Sequence, residues 1–438
     1  MSLYSSTSDY AKDTWVPGFN NQLENSKGTL YGMIEKNSSS DVVIEGRRAY
    51  LKLEIGDSTG QAAIAQGGDF PTPGDPTYDE AQLELSHLAH AIEFDSEEMA
   101  LLDSQSAAAD KVMERKMAKA KDAMERDLVR QCWMDGSGVL ARIASVSGTR
   151  ITLDDTGTVQ ADHDRFIWLD DSNRAMYDAV HNSTGADGVT GFKITLGIDE
   201  ANNYLHTDST MTAADADDVI VRSGDWATGG AFRSLEYDGV LAMVADDNTY
   251  LNINRSTGSL AFWRSTVDDN SGTLRSLSEN LIHGLFHKVA RRADSGVQPG
   301  VGDDGYRAFA NFGPWLSYHN LMSPGLRYTN EKTPDIGWAA PLNLLGVPFY
   351  KDVHAPQANI FLLHIPSIKM VKPKHNGFDN LMKFVERGNS IFFQKNASSG
   401  QGHAAAVLCY LEGFTGMMTD RPRNHGRLAD ITGTAEAY

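Results

Sequence analysis

The stretch Asp95–Gly136, DSEEMALLDSQSAAADKVMERKMAKAKDAMERDLVRQCWMDG, decides how the rest of the chain is read. Asp95 followed by Glu98 fits a capping box, and Glu97 and Glu98 suit the positive end of a helix dipole. Gly136, just past Asp135, fits a C-terminal cap. The pattern predicts one helix with both ends marked. Met113, Met117, Ala120, Met124 and Leu128 share a narrow face, while Arg115, Lys116, Lys119, Lys121, Asp122 and Arg126 occupy the others. At about 1.5 Å per residue the uninterrupted part from Ala107 to Asp135 runs about 40 Å, longer than the usual helix of a globular domain. Such a rod is a structural spine with one buried side and one side turned to water or another subunit.

Upstream of the spine the pattern changes period. Leu51, Leu53 and Ile55 alternate with Lys52 and Glu54, and Leu83 and Leu85 alternate with Gln82 and Glu84. These read as two strands of one hairpin between Val42 and Ile92. Their connection from Gly56 to Thr77 holds Gly60, Gly67, Gly68, Pro71, Pro73, Gly74 and Pro76, so it is too long and broken for a tight turn. A tip without its own core has to rest on something else, and a neighbouring subunit is the natural support. Residues up to about Ser40 read as an extended arm.

Downstream, roughly Ser137 to Trp263, short strand signals surround Asp-rich loops: Ile143 and Val146, the Ser147-Gly148 turn, Ile151 and Leu153, then Phe166 to Leu169, Phe192 to Leu196 and Val219 to Val221. This predicts an insertion of antiparallel strands. A second helix is marked between Thr273 and Ala293 by Leu274, Leu277, Leu281, Leu285 and Val289, with Arg291 and Arg292 in its last turn and Gly296 beyond. Gly313-Pro314 opens a short helix through Leu321. From Leu344 onward strands are expected at Val347 to Tyr350, Ile360 to His364, Ile368 to Val371, Ile391 to Gln394 and Ala405 to Leu411. The apolar run Ala404 to Tyr410 predicts cover on both faces.

With 438 residues, 41% of them hydrophobic and 22% charged, the chain reads as folded rather than disordered. Its 39 Lys and Arg against 58 Asp and Glu give a net charge of −19, and no basic patch suited to nucleic-acid phosphates stands out. Cys132 and Cys409 lie far apart without metal-ligand spacing, which suits buried thiols in a reducing compartment. Met1 to Trp15 shows no signal-peptide core and no run is long enough to cross a bilayer, so a cytoplasmic protein is expected.

Motifs for chemistry fail on context. Gly56-Asp57-Ser58-Thr59-Gly60 matches a nucleophile elbow, but Gln61 to Pro76 is not the helix an elbow requires, so Ser58 reads as part of a loop tip. His283 and His287 have the spacing by which two imidazoles reach one zinc ion, yet Gly284 stands where a metalloprotease carries its glutamate. Adjacent Asp162, His163 and Asp164 point apart. Asp303-Asp304-Gly305 lacks the earlier ligands of a calcium loop, since Gly300 and Gly302 fall there. The glycines from Gly56 to Gly74 do not form a phosphate loop. No catalytic, cofactor or metal site is expected, and the chain reads as a non-enzyme.

The order of parts is more telling than any motif. The tip Gly67-Gly68-Asp69-Phe70-Pro71-Thr72-Pro73-Gly74, the returning strand Leu83 to Ile92, the spine Asp95 to Asp135, Gly136-Ser137-Gly138-Val139-Leu140 after it, and Gly346-Val347-Pro348-Phe349-Tyr350 leading to Pro356 and to Ile360 to Leu363 together resemble the major capsid proteins of tailed bacteriophages. The likeness covers most of the chain. It implies an α+β fold of the Hong Kong 97 type, divided into an N-terminal arm (1–41), an E-loop hairpin (42–93), a P-domain spine helix (94–136), a β-rich insertion (137–263), a P-domain second helix (264–304), an A-domain (305–399), and a return strand with C-terminal tail (400–438). It implies a shell protein that self-assembles into hexamers and pentamers around packaged double-stranded DNA, held without sequence-specific contacts, in a virion put together in the host cytoplasm. Its partners are then further copies of itself, a separately encoded scaffolding protein, a portal and a decoration protein, with no membrane. The implied contact residues at the hairpin tip are Asp57, Gln66, Asp69, Phe70 and Pro71. Lys52 and the asparagines show no matched pattern for covalent cross-linking. An encapsulin-like compartment shares the fold and is the alternative, with a Ser58 hydrolase a distant third.

Overall fold

The computed structural model of the chain describes residues 29–34, 42–56, 60–64, 66, 68–72, 74–75, 77–95, 107–153, 169, 176–180, 190–199, 204–211, 214, 216, 218–223, 226–227, 233–256, 263–293, 299–300, 305–322, 342–372, 383–385, 392–396 and 403–433. Inside the expected arm a helical turn, α1 (Thr29–Met33), buries Leu30 and Tyr31. That part of the arm is packed rather than extended. The rest of the arm lies outside the described residues.

The hairpin forms where the alternation placed it. Strands β1 (Val42–Glu45), β2 (Arg48–Gly56) and β3 (Thr77–Glu84) make a three-stranded antiparallel sheet, with Arg48 facing Glu84 and Gly56 facing Thr77 at the two ends of the β2–β3 ladder. Ala49, Leu51, Leu53, Ala81 and Leu83 are buried on one face, while Lys52 and Glu80 stay exposed on the other.

The returning strand does not stay in that hairpin. After Leu85 it becomes β4 (Ser86–Asp95), which pairs over ten residues with the 17-residue strand β24 (His403–Thr419), from Asp95 opposite Ala406 to Ser86 opposite Thr415. Asp95 is therefore a strand end and not a helix cap. Its backbone is taken by a partner some 300 positions away, an interaction that local capping signals do not register. Glu97 and Glu98 lie outside the described residues. The spine itself, α2 (Ala107–Trp133), has 27 residues, which at about 1.5 Å each gives the expected length of about 40 Å.

Met117, Ala120, Met124 and Leu128 of α2 are buried, whereas Arg115, Ala118, Lys119 and Asp122 are exposed. The side chain of Met113 lies outside the described set. From Leu128 to Met134 every residue is buried. Trp133 packs against Phe309 and Phe361 with ring centroids 5.8 and 5.4 Å away. The spine is half-solvated along its middle and driven into the core at its C-terminal end. The helix ends at Trp133, two residues short of the expected Asp135, and Gly136 beyond it takes a left-handed φ of 79°.

The insertion is a small barrel. Strands β5 (Ala141–Ser147), β6 (Arg150–Leu153), β7 (Tyr177–Val180), β8 (Thr190–Phe192), β9 (Ile194–Asp199), β10 (Tyr204–Thr207) and β11 (Val219–Arg222) lie in the order β8-β7-β11-β5-β6-β10-β9. Its two outer strands, β8 and β9, are one continuous segment interrupted only at Lys193. Phe192 pairs with Tyr177 on one side, and Ile194 pairs with Thr207 on the other. One stretch thus closes the sheet on itself. The opposite corner is β5, whose first half pairs with β11 and whose second half pairs with β6. Ile143, Ile151, Leu153, Phe192, Ile194, Leu205 and Ile220 are buried in this region. Phe166 to Trp168 and Asp162 to Asp164 fall outside the described residues.

After the barrel come two short ribbons, β12 with β13 (Trp226–Ala227, Arg233–Ser234) and β14 with β15 (Thr249–Tyr250, Ile253–Asn254), and a short helix, α3 (Val240–Met243), lies between them. The remaining chain builds a six-stranded mixed sheet from β16 (Thr266–Asp268), β17 (Tyr306–Ala310), β18 (Leu342–Leu344), β19 (Val347–Lys351), β20 (Ile360–His364) and β25 (Gly426–Leu428), in the order β16-β25-β20-β17-β19-β18. The second helix, α4 (Glu279–Arg292), is capped by Ser278 and places Ile282, Leu285, Phe286 and Val289 against one face of this sheet, together with α5 (Phe312–Met322). Phe309, Phe361 and Leu363 face the main core on the other side, where Phe309 and Phe361 meet Trp133. The second helix packs on this sheet because its apolar face finds its partners there.

Strands β22 (Lys383–Phe384) and β23 (Phe392–Asn396) also pair with β24, and β21 (Ile368–Val371) pairs with its last residues, Gly416 to Thr419. Along β24 Val407, Cys409 and Leu411 are buried while Ala406, Leu408 and Tyr410 are half-exposed. The run expected to be covered on both faces is thus covered on one as far as Phe414, and on both only from Thr415 to Thr419.

Candidate assembly surface

Among the described residues, the feature left most open to solvent is the outer face of the ribbon β1–β3 and its tip. Its root is fixed in three ways. The Gln82 N–H donates to the carbonyl of Leu251 at 2.9 Å, and the Leu85 N–H donates to the carbonyl of Arg47 at 2.8 Å. Leu83 and Leu85 sit over Gly416 of β24, where an added Cβ would lie 2.9 Å from Leu83 Cδ2 and 3.4 Å from Leu85 Cδ2. Leu251 holds a left-handed φ of 51° in the two-residue turn between β14 and β15. A leucine there costs about 1–2 kcal/mol, which its buried side chain and its bond to Gln82 offset.

One face of the ribbon is buried in the core, but its other face and the described part of its tip stay open to solvent. Among the described residues Phe70 is 88% exposed, Tyr78 62%, Val43 53% and Ile64 43%. These are four of the ten large hydrophobic side chains left most open to solvent, gathered on one projecting element. Gln66 and Asp69 are exposed beside Phe70, and Pro71 is half-buried. Asp57 lies outside the described residues.

Below the root a buried charge network ties the spine to the barrel. Asp127 accepts from Arg130 Nη2 and from Arg222 Nη1, each at 2.7 Å, and from Gln131 Nε2 at 2.8 Å. Arg130 Nη2 also bonds Glu236 Oε1 at 2.5 Å, and Nη1 bonds Glu236 Oε2 at 3.2 Å. Two carboxylates thus face two guanidiniums, so the desolvated charges balance. Burial opposes ionisation of Asp127, but Arg130 and Arg222 outweigh it and hold its pKa below the usual carboxylate value. His90, across from Asp127 on β4, is pushed to a lower pKa by burial and by Arg222. The neighbouring Asp238 is raised to about 6 by burial, helped by Asp135. Gly239 runs so close to the end of α2 that a Cβ there would stand 2.4 Å from the carbonyl oxygens of Gln131 and Met134.

No family model matches the chain, and no curated protein matches it. Solved structures do. The capsid asymmetric unit of cyanophage A-1(L) aligns over 93% of this chain and 93% of its own, at 12% identity and a TM-score of 0.47. The capsid of a native GTA particle aligns over 89% and 86%, at 11% identity and 0.41. The holo-SrpI encapsulin complex of Synechococcus elongatus aligns over 82% and 78%, at 8% identity and 0.38. This chain is similar to phage capsid proteins. The likeness is one of chain path, at TM-scores below 0.5.

Ser58, Asp162 to Asp164, Asp303 and Asp304 lie outside the described residues. His283 and His287 are exposed on α4, far in sequence and in packing from the network. Cys132 and Cys409 are both free and buried, and burial raises the Cys409 thiol to about 12. A cavity of about 440 Å³ at the hairpin root is lined by Arg47, Arg48, Glu84, Glu236, Asp238 and Asn252, and one of about 250 Å³ beside it by His87, His90, Gln131, Arg222 and Ser223.

Sequence reasoning passed over Asp127, Arg222 and Glu236. The available signal was Arg130. A charged residue in a turn that also holds Leu128, Val129, Cys132 and Trp133 implies a buried partner.

Proposed function

We propose that this chain is the major capsid protein of a tailed bacteriophage, self-assembling into hexamers and pentamers that close an icosahedral head around double-stranded DNA. The observation that carries the reading is Phe70, 88% exposed at the end of a ribbon whose root is pinned to the body. A side chain of this size is worth about 1.5–3 kcal/mol when buried, and a second copy of the chain is the surface that recovers it. In this reading residues 42–85 are the reaching loop, shorter than the 42–93 expected because β4 is paired with β24, Gln66, Asp69, Phe70 and Pro71 are its contact residues, α2 is the stiff rod beneath it, and the sheet under α4 and α5 lies towards the capsomer centre.

The charge of −19 suits a container for DNA, because like-charged walls and phosphates repel within about a Debye length of ~8–10 Å. Among the described residues no helix is long and apolar enough to cross a membrane. The partners in this reading are further copies, a separate scaffolding protein, a portal and a decoration protein, in a virion assembled in the host cytoplasm. Each contact is moderate, and closure multiplies it.

Negative-stain microscopy of the expressed chain, alone and with the scaffolding protein encoded beside it, tests this. Closed shells that appear with the scaffold and become irregular without it are expected. Small uniform shells enclosing a host enzyme would move the reading to a cellular compartment, and a chain that stays monomeric under every condition would overturn it.

A further inference from the structure

The face of α4 that points away from the sheet carries a pair of side chains with no structural duty. Burial of Ile282, Leu285, Phe286 and Val289 fixes how the helix is rotated, and the Ser278 cap, which accepts from the Leu281 N–H, holds its first turn. His283 and His287 are then both held in solvent, four residues apart on one side. Their rings lie 22° from parallel with centroids 6.2 Å apart. Gly284 leaves the surface beside them clear, since a Cβ there meets nothing within 4 Å.

Two metal–imidazole bonds of about 2.0–2.1 Å at a tetrahedral angle place the ring centroids about 5 Å apart. The pair stands roughly 1 Å from that geometry, a gap that small rotations of two exposed side chains close. The surrounding charge is compatible. Glu279 is exposed one turn before His283, and Lys288 is neutralised by its ion pair with Asp268. Arg291, one turn beyond His287, is the opposing cation. No group of three or more histidine, cysteine or acidic side chains that could hold an ion occurs among the described residues, so these residues supply two bonds.

We propose that His283 and His287 form a bidentate site for a divalent transition metal of the zinc, nickel and copper class, which imidazole favours over magnesium and calcium. Water fills the remaining positions in a single chain, and the same pair from a second copy fills them where two α4 helices meet. The site stands independently of the capsid reading.

The test is isothermal titration of the untagged, unassembled full chain with zinc chloride, with sedimentation run in parallel. One ion per chain, or one per two chains with a matching shift to dimer, supports the site when chelator reverses it and His283→Gln and His287→Gln each weaken it by about 10-fold or more. His319→Gln, on another helix, serves as the control and leaves binding unchanged. Thermal melts of both variants match the parent, because the rings are exposed. Equal zinc affinity in the parent and in His283→Gln, or displacement of zinc by equimolar magnesium, overturns the proposal.

Discussion

Replacing Phe70 by alanine removes the largest apolar group that the described chain leaves in water. Its 88% exposure means that it contributes almost nothing within its own subunit, so the unfolding midpoint of the isolated chain is expected to move by less than about 0.5 kcal/mol. Between subunits the same side chain is worth about 1.5–3 kcal/mol when fully covered. At about 1.4 kcal/mol per factor of ten, that is a weakening of roughly 10- to 100-fold for each contact that Phe70 makes. The assay is a dilution series followed by light scattering and sedimentation, which gives the threshold concentration for shell formation. Phe70→Ala should raise that threshold by roughly 10-fold or more, Phe70→Trp should leave it nearly unchanged, and both should melt with the parent. An unaltered threshold in Phe70→Ala, or a loss of chain stability on the scale of a core truncation, would show that the ribbon does not grip a neighbour through this residue.

Two glycines should respond in opposite directions. Gly239→Ala pushes a Cβ to within 2.4–2.7 Å of three backbone carbonyls and should cost about 3 kcal/mol or more in urea unfolding, whereas Gly284→Ala, in an open helix position, should gain about 0.5–1 kcal/mol. Stability against pH should carry two opposing contributions. His425 has its pKa lowered to about 3 by burial, with His364 and Arg255 adding to it, so its contribution is complete above about 6.5 and drains away as the pH falls towards 3. Asp238 has its pKa raised to about 6, chiefly by burial, so its protonated form favours the fold below about 3.8 and that benefit is lost as the pH rises through 6. Asp238→Asn should therefore exceed the parent in urea midpoint at pH 7 and converge with it near pH 4, while His425→Gln should flatten the acid side. Parallel curves for parent and variants across this range would contradict the assignments.

Where a reading depended on near neighbours in sequence, the residues gave it. The Leu51-Lys52-Leu53 alternation, the Met117-Ala120-Met124-Leu128 stripe and the turn at Gly148 all concern groups within a few positions of one another. The misread features share a different cause. Asp95 carries good capping chemistry, yet its backbone is claimed by Ala406, and Leu281 and Leu285 announce a helix without saying that Tyr306, Phe349 and Leu428 will cover it. Partnership across hundreds of residues leaves no local trace. The assembly surface was half legible: Phe70 in a Gly/Pro-rich tip stood out, whereas Asp127, Arg222 and Glu236, which brace the ground beneath it, come from three separate segments.

The way the barrel is stitched in has a consequence for how such a chain changes over generations. The strand that leads into it and the strand that leads out lie side by side, with Ala141 opposite Ile220 and the Leu140 N–H donating to the Ile220 carbonyl. Entry and exit are thus one strand spacing apart, about 5 Å, and the segment 190–199 that seals the wall leaves neither rim open for a stray strand. A module with a doorway that narrow can be enlarged or exchanged through two adjacent splice points, provided that the replacement keeps a cation where Arg222 meets Asp127 of the rod.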